Sequence, residues 1–394
     1  MPTKKAVVLI APGIGLFLIG TLMLIALTAF RMPPSEAEVR VATNAPGQAL
    51  PALTTAPRAE LIGPVLDAAR RREEVTGAAE IRSGTRWINA WAADGGPAAG
   101  PPAGLTVPVD VGSVHPKDFR KLVPAPAKAK IDELADGGAI ISRTGADLRG
   151  IKTSGTLQFG GTSIPVIAVL EDVYLRNHEV VVSHSTGIAI GLNETRYLLI
   201  GLKDLASGKA VEDAMRGAIP EDVSMRVRGP EGSGASSRPS ALLPLARIKT
   251  IFGEFSAVNG AGSNIGIDPA WVEANTEMAT IPLLGTFRCH KKVIPQIVEA
   301  FREVEEQGLG GLIGPEDAGG CFSPRYIRSG KEAGLSRHAW GIAFDFNVSA
   351  NLYGQPPTMD MRLVEIMESH GFSWGGWWNY PDGMHFEYVS DSRP

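Results

Sequence analysis

The sequence predicts an α+β protein in three parts: an N-terminal transmembrane helix, a middle α+β domain of short strands, and a C-terminal domain with a small antiparallel sheet flanked by helices. Three observations predict it. Residues 6–30 contain no charge. From Thr106 to about Gly229, short apolar runs alternate with turn residues. After residue 285, two helical apolar stripes enclose strand-like runs that His and Asp interrupt. The length of 394 residues fits two or three domains. A composition of 44% hydrophobic and 20% charged residues excludes a disordered chain. The near balance of 38 basic and 42 acidic residues argues against a nucleic-acid partner. Two cysteines exclude a disulfide-dense scaffold and a Cys-rich zinc module. The 46 glycines and 29 prolines call for linkers, turns and bends.

The run from Ala6 to Phe30 is long enough to cross a bilayer as a helix, and lipid-embedded helices tolerate Pro12, Gly13 and Gly15. A cleaved signal peptide is the rival reading, but its apolar core is usually shorter. Lys4 and Lys5 precede the run, which favours a cytoplasmic N-terminus over residues 1–5. Residues 31–58 are rich in Pro, Ala and Thr without apolar periodicity and read as a linker. The expected localisation is a single-pass anchor in the cell membrane with the following domains extracytoplasmic.

Residues 59–260 form the expected accessory domain. Residues 59–73 read as a short amphipathic helix and AEIRSGTRWINAW as a strand. TLQFGG followed by TSIPVIAVLED reads as a hairpin around a Gly-Gly turn. EVVVSH, GIAIGL and RYLLIGL read as further strands, and AVEDAMRGAI as a helix. GPEGSGASSRPS (229–240) is a composition break. His178 and His184 lie six apart, which on a strand puts both on one face. No third ligand is evident, so the default is a binding or spacer module. VIAVLEDVYLRNHEVVVS loosely resembles periplasmic domains of bacterial export permeases, over one hairpin only.

Residues 275–394 carry the chemistry. KKVIPQIVEAFREVEE (291–306) has a helical stripe of Val293, Ile294, Ile297, Val298 and Phe301. MDMRLVEIMESHG (359–371) is a second helix ending at Gly371. Between and after them, His338 and Asp345 bracket AWGIAF, and His385 sits in MHFEYV. A carboxylate or imidazole within such apolar runs is costly unless it is paired or holds a metal. Two His and one Asp form a catalytic zinc set with a fourth position left for water. The spacing of seven between His338 and Asp345 puts them on opposite faces of an ideal strand, so the chain must bend, and Gly341 is the place. The alternative for each residue taken singly is a hydrogen-bonded structural role.

Ser336-Arg337-His338-Ala339-Trp340-Gly341-Ile342-Ala343-Phe344-Asp345 resembles the first zinc motif of VanY-type D-Ala-D-Ala carboxypeptidases and of related L-Ala-D-Glu peptidoglycan endopeptidases. Asp382-Gly383-Met384-His385-Phe386-Glu387, preceded by Trp374-Gly375-Gly376, resembles the second. The resemblance covers about residues 285–390. It implies a Zn2+ cofactor held by His338, Asp345 and His385, with Asp382 as general base for the attacking water. Arg325 matches the family's arginine for the oxyanion or a substrate carboxylate. Ser336 would support the ligand loop and Glu387 a ligand from behind, the alternative for Glu387 being a solvated or salt-bridged acid. The implied substrates are bacterial peptidoglycan stem peptides, cut most simply as a D-alanyl-D-alanine carboxypeptidase. The alternatives are an L-Ala-D-Glu type endopeptidase and a non-catalytic wall-binding protein.

Two departures bear on specificity. Asp382 with Met384 before the histidine follows the endopeptidase-like branch. Trp377-Trp378 stands where the family usually has an acid-Trp pair. Trp377 and Trp378 are candidates to wall a substrate cleft, whereas Trp340 and Trp374 read as core. His370 reads as structural at a helix end, and His290 lies in no motif. Cys289 and Cys321 are a disulfide candidate in an extracytoplasmic domain, the alternative being two buried thiols.

Overall fold

The computed structural model describes residues 52–55, 59–204, 206–217, 225–228, 243–259, 262–327, 334–378 and 380–390. The fold is mixed α/β, which corrects the expected assembly of short-stranded modules behind a membrane helix. The middle of the chain forms one continuous 11-stranded sheet. Its longest strand, Val75–Ile88, has 14 residues and pairs antiparallel with Thr195–Leu202 on one side and Val107–Val114 on the other. Two neighbouring pairs are parallel: Val107–Val114 with Val180–Ser183, and Ala139–Ser142 with Thr162–Leu170. Both faces of the sheet are covered. Phe119, Leu122, Ile131 and Leu134 pack on one core, and Val107, Val109, Ile141 and Leu157 belong to another. Strands covered on both faces lose the polar alternation that marks a half-buried strand, so their length is hard to read locally.

The Gly160–Gly161 turn joins Gly155–Phe159 to Thr162–Leu170 as an antiparallel hairpin. GIAIGL is not a strand. Ser183 caps a helix over His184–Ala189 by accepting the Thr186 amide at 3.3 Å. Gly187 in that helix lies against Ser113, where a Cβ would come within 2.3 Å of the hydroxyl oxygen.

The expected membrane span over residues 6–30 lies outside the described residues. Among the described residues no helix is long and apolar enough to cross a membrane. A single-pass anchored protein is therefore not supported, and that placement, with its cytoplasmic and extracytoplasmic sides, is withdrawn.

The C-terminal core gathers Ile297, Phe301, Trp340, Phe344, Leu363 and Phe386 around a four-stranded antiparallel sheet. The helices Ile294–Glu306 and Met361–Ser369 contribute to the same core, and His370 donates to Glu303 at 2.8 Å between them. Helix Leu245–Phe252 also belongs to this core, through Leu245, Ile248 and Phe252. Its other side is fixed to the middle sheet. Lys249 donates to Glu179 at 2.7 Å and lies 3.0 Å from Glu254, while Arg149 bridges the same two carboxylates at 2.9 Å each. Three of these four charged groups are fully buried and Glu254 is partly exposed, and buried charge survives only when paired in this way. A second link joins Trp87, on the long strand, to the buried Tyr326 hydroxyl at 2.7 Å.

Candidate metal centre

Three local devices bring His338, Asp345 and His385 together. The Ser336 hydroxyl accepts the His338 amide at 3.3 Å and caps a single 3-10 turn over Arg337–Ala339. Gly341 then turns the chain with φ 68° into strand Ala343–Phe346. A side chain at 341 would be strained by that φ, and its Cβ would lie 2.9 Å from the His290 backbone nitrogen. His338 therefore stands before the bend and Asp345 after it, which removes the opposite-face problem. Strand His385–Tyr388 pairs antiparallel with the Asp345 strand and places His385 directly opposite Asp345.

The donor atoms form a small triangle. His338 Nε2 is 3.1 Å from Asp345 Oδ1 and 3.2 Å from His385 Nδ1, and His385 Nδ1 is 3.0 Å from Asp345 Oδ1. All three residues are buried. The outer nitrogen of each imidazole is engaged: His338 Nδ1 donates to the Cys321 carbonyl at 2.8 Å, and His385 Nε2 donates to Glu387 at 3.2 Å. In the neutral rings this turns the lone pairs of both inner nitrogens toward the Asp345 carboxylate. Three acceptors facing one another repel unless positive charge lies among them. A tetrahedral zinc site with bonds of 2.0–2.1 Å needs donors roughly 3.3 Å apart, so the triangle and the donor chemistry both fit zinc.

Without a metal, the surrounding acids favour a proton on His385, which a bound cation would have to displace. Burial would raise the Asp345 carboxyl, but the two imidazoles outweigh it and hold it well below the usual carboxylate range. Burial would depress His385, but its bonds to Asp345 and Glu387 and the charge of Asp382 hold it well above an ordinary histidine.

Asp382 and Arg325 are tied by backbone hydrogen bonds to the segments that carry His385 and His338. The Asp382 amide donates to the Gly375 carbonyl at 3.0 Å, and its own carbonyl accepts the His385 amide at 3.1 Å. A Cβ on Gly375 would meet that Asp382 carbonyl at 2.7 Å, which explains the glycine after Trp374. The Arg325 carbonyl accepts the Ser336 amide at 3.1 Å, laying the arginine segment beside the His338 turn. The Cys289–Cys321 disulfide, with Cα atoms 5.0 Å apart, ties that segment to strand Gly285–His290.

The two tryptophans separate. The Trp378 ring lies 5.2 Å from His385 at an angle of 50°. Trp377 turns away, donating to Glu368 at 2.8 Å and meeting Trp374 edge-on. Trp340 and Trp374 are buried in the core. The other histidines stay outside the centre. His290 donates to the Phe252 carbonyl at 3.0 Å. His178 bonds Asp110 at 2.8 Å and Tyr197 at 3.1 Å, while His184 bonds Ser113 at 3.0 Å. The spacing of six fails as a metal pair because the strand covers only Val180–Ser183.

Sequence reasoning missed three contributors: Arg337, the Cys321 carbonyl and the Leu243 carbonyl. Arg337 lies 3.6 Å from Glu387 and donates to Leu243 at 2.9 Å. Its place immediately before His338 was the available signal, whereas a backbone carbonyl leaves none in a sequence.

The family comparison supports a metallopeptidase-like C-terminal domain. Residues 329–388 match the family model described as D-alanyl-D-alanine carboxypeptidase, in agreement with the VanY-type resemblance of the two motifs. No curated protein matches the sequence. Two solved structures show a distant likeness. The periplasmic region of MacB from Actinobacillus actinomycetemcomitans aligns at 9% identity and a TM-score of 0.30, covering 45% of this chain and 89% of its own. The extracellular domain of the noncanonic ABC-type transporter YknZ from Gram-positive bacteria aligns at 13% identity and a TM-score of 0.29, covering 45% of this chain and 98% of its own. Similarity at that level does not extend to shared function.

Proposed function

We propose that the protein is a zinc-dependent peptidase acting on peptidoglycan stem peptides, with D-alanyl-D-alanine carboxypeptidase as its activity. The convergence of three buried acceptors at 3.0–3.2 Å, inside the segment that matches the carboxypeptidase family, carries this reading. His338, Asp345 and His385 would hold the ion. The chemistry that zinc supplies in such a site is Lewis acidity, which lowers the pKa of water to near 7 and polarises a carbonyl.

The remaining work falls to the chain. Asp382, fixed beside His385 by the Gly375 carbonyl, takes the proton from the attacking water and returns it to the leaving amine. Arg325 offers a planar fork of donors to the oxyanion or to the terminal carboxylate of the substrate. Trp378, its ring 5.2 Å from that of His385, would shield one side of the imidazole. Incubation with pentapeptide and tetrapeptide stems, followed by mass analysis, tests the reading. Loss of one D-Ala from the pentapeptide is expected. Cleavage after L-Ala would make the protein an endopeptidase, and no product would remove the enzymatic reading.

A further inference from the structure

Behind His385 lies a second, buried layer of charge. Glu387 accepts from His385 Nε2 through one carboxylate oxygen and lies 3.6 Å from the Arg337 Nε through the other. Neither side chain is exposed: Arg337 is 8% accessible and Glu387 3%. A buried carboxylate needs a counter-charge, and Arg337 supplies it here. The guanidinium is itself anchored, since its Nη2 donates to the Leu243 carbonyl at 2.9 Å. Leu243 lies two residues before helix Leu245–Phe252, whose Lys249 is locked to Glu179, immediately before the middle-sheet strand Val180–Ser183. A continuous set of contacts thus runs from the middle sheet to the metal-facing imidazole.

We propose that Arg337 is a positioning residue of the metal centre. It fixes Glu387, and Glu387 fixes the His385 ring so that Nδ1 presents its lone pair to Asp345 and His338. A ligand histidine needs its outer nitrogen held in this way, and loss of such a partner weakens metal binding about ten- to hundredfold. Arginine suits the position because one rigid guanidinium donates to the Leu243 carbonyl while standing 3.6 Å from Glu387 as its counter-charge, a placement that a lysine ammonium cannot reproduce. The inference rests on the metallopeptidase reading for the presence of a metal, but not on which bond is cut.

The test measures zinc affinity of the full-length protein by competition with a chelating indicator. It is supported by the absorption spectrum of the cobalt-loaded form, and activity is not needed. Arg337→Met and Glu387→Gln are each expected to weaken zinc about ten- to hundredfold. The double variant is expected to be no weaker than the worse single, because both act through one path. Arg337→Lys should recover part of the loss. Should Arg337→Met fail to fold, the double variant leaves no lone buried charge and is compared with Glu387→Gln alone. Equal affinities support the proposal, and a further tenfold loss overturns it. Additive losses, or a folded Arg337→Met with unchanged affinity and cobalt spectrum, also overturn it. A wild-type protein that binds no zinc overturns the metallopeptidase reading and this inference with it.

Discussion

Asp345 and His385 sit opposite each other on adjacent antiparallel strands, with Oδ1 and Nδ1 3.0 Å apart. The register of that one strand pair fixes two of the three members of the donor triangle, and the Gly341 bend delivers the third. The centre is therefore part of the sheet rather than of a loose loop, which favours a rigid, preorganised site.

Asp382→Asn should keep its metal and lose turnover. The amide preserves size and leaves the backbone bonds to Gly375 and His385 untouched. It cannot accept a proton, so kcat should fall about 10²- to 10⁴-fold. An active Asp382→Asn variant with normal metal content would reject Asp382 as the base.

Acid should destabilise the fold in a defined window. Burial is the main cause that lowers His290 from 6.5 to about 4, and His184 likewise to about 4. Both folded values lie below the unfolded value, so the unfolded chain binds more protons between them. Their stabilising contribution is full above pH 6.5 and is lost as the pH falls through about 4. For His290 the loss is on the order of 2 kcal/mol. His290→Gln keeps a donor for the Phe252 carbonyl and should flatten the urea-unfolding profile between those pH values. An unchanged slope would contradict the assignment.

Reduction of Cys289–Cys321 should lower stability by about 3–4 kcal/mol, the chain-entropy value for a loop of this length. Mass spectrometry of unreduced, alkylated protein should show neither cysteine modified. Two alkylated cysteines would rule out the bond.

Lys249→Met should cost about 3 kcal/mol, because it leaves Glu179 and Glu254 sharing Arg149 alone in a buried setting. Adding Glu254→Gln should recover a large part of that loss. Denaturant unfolding of the pair measures both, and a double variant as unstable as the single would contradict the charge account.

The convergence of His338, Asp345 and His385 was legible in the sequence because each member breaks an apolar run, and a buried polar side chain requires a reason. The Gly341 bend was legible for a similar reason: the spacing of seven demanded it. The order of the 11-stranded sheet was not legible. Pairing Val107–Val114 parallel to Val180–Ser183 is a contact across some 70 residues, and no local pattern encodes it. GIAIGL misled because its apolar residues fit a strand, whereas the Ser183 cap and the close approach of Gly187 to Ser113 decide for helix. Arg337 escaped notice because its partners, Leu243 and Glu387, lie far along the chain. The membrane span was read from an uncharged run alone, and no helix among the described residues supports it.

The central claim is that His338, Asp345 and His385 hold one zinc ion, and elemental analysis of purified protein tests it most directly. Wild type is expected to carry zinc at one ion per chain, and His338→Ala, which removes one corner of the donor triangle, should carry none. Zinc-free wild type, or His338→Ala with unchanged zinc content, would contradict the account.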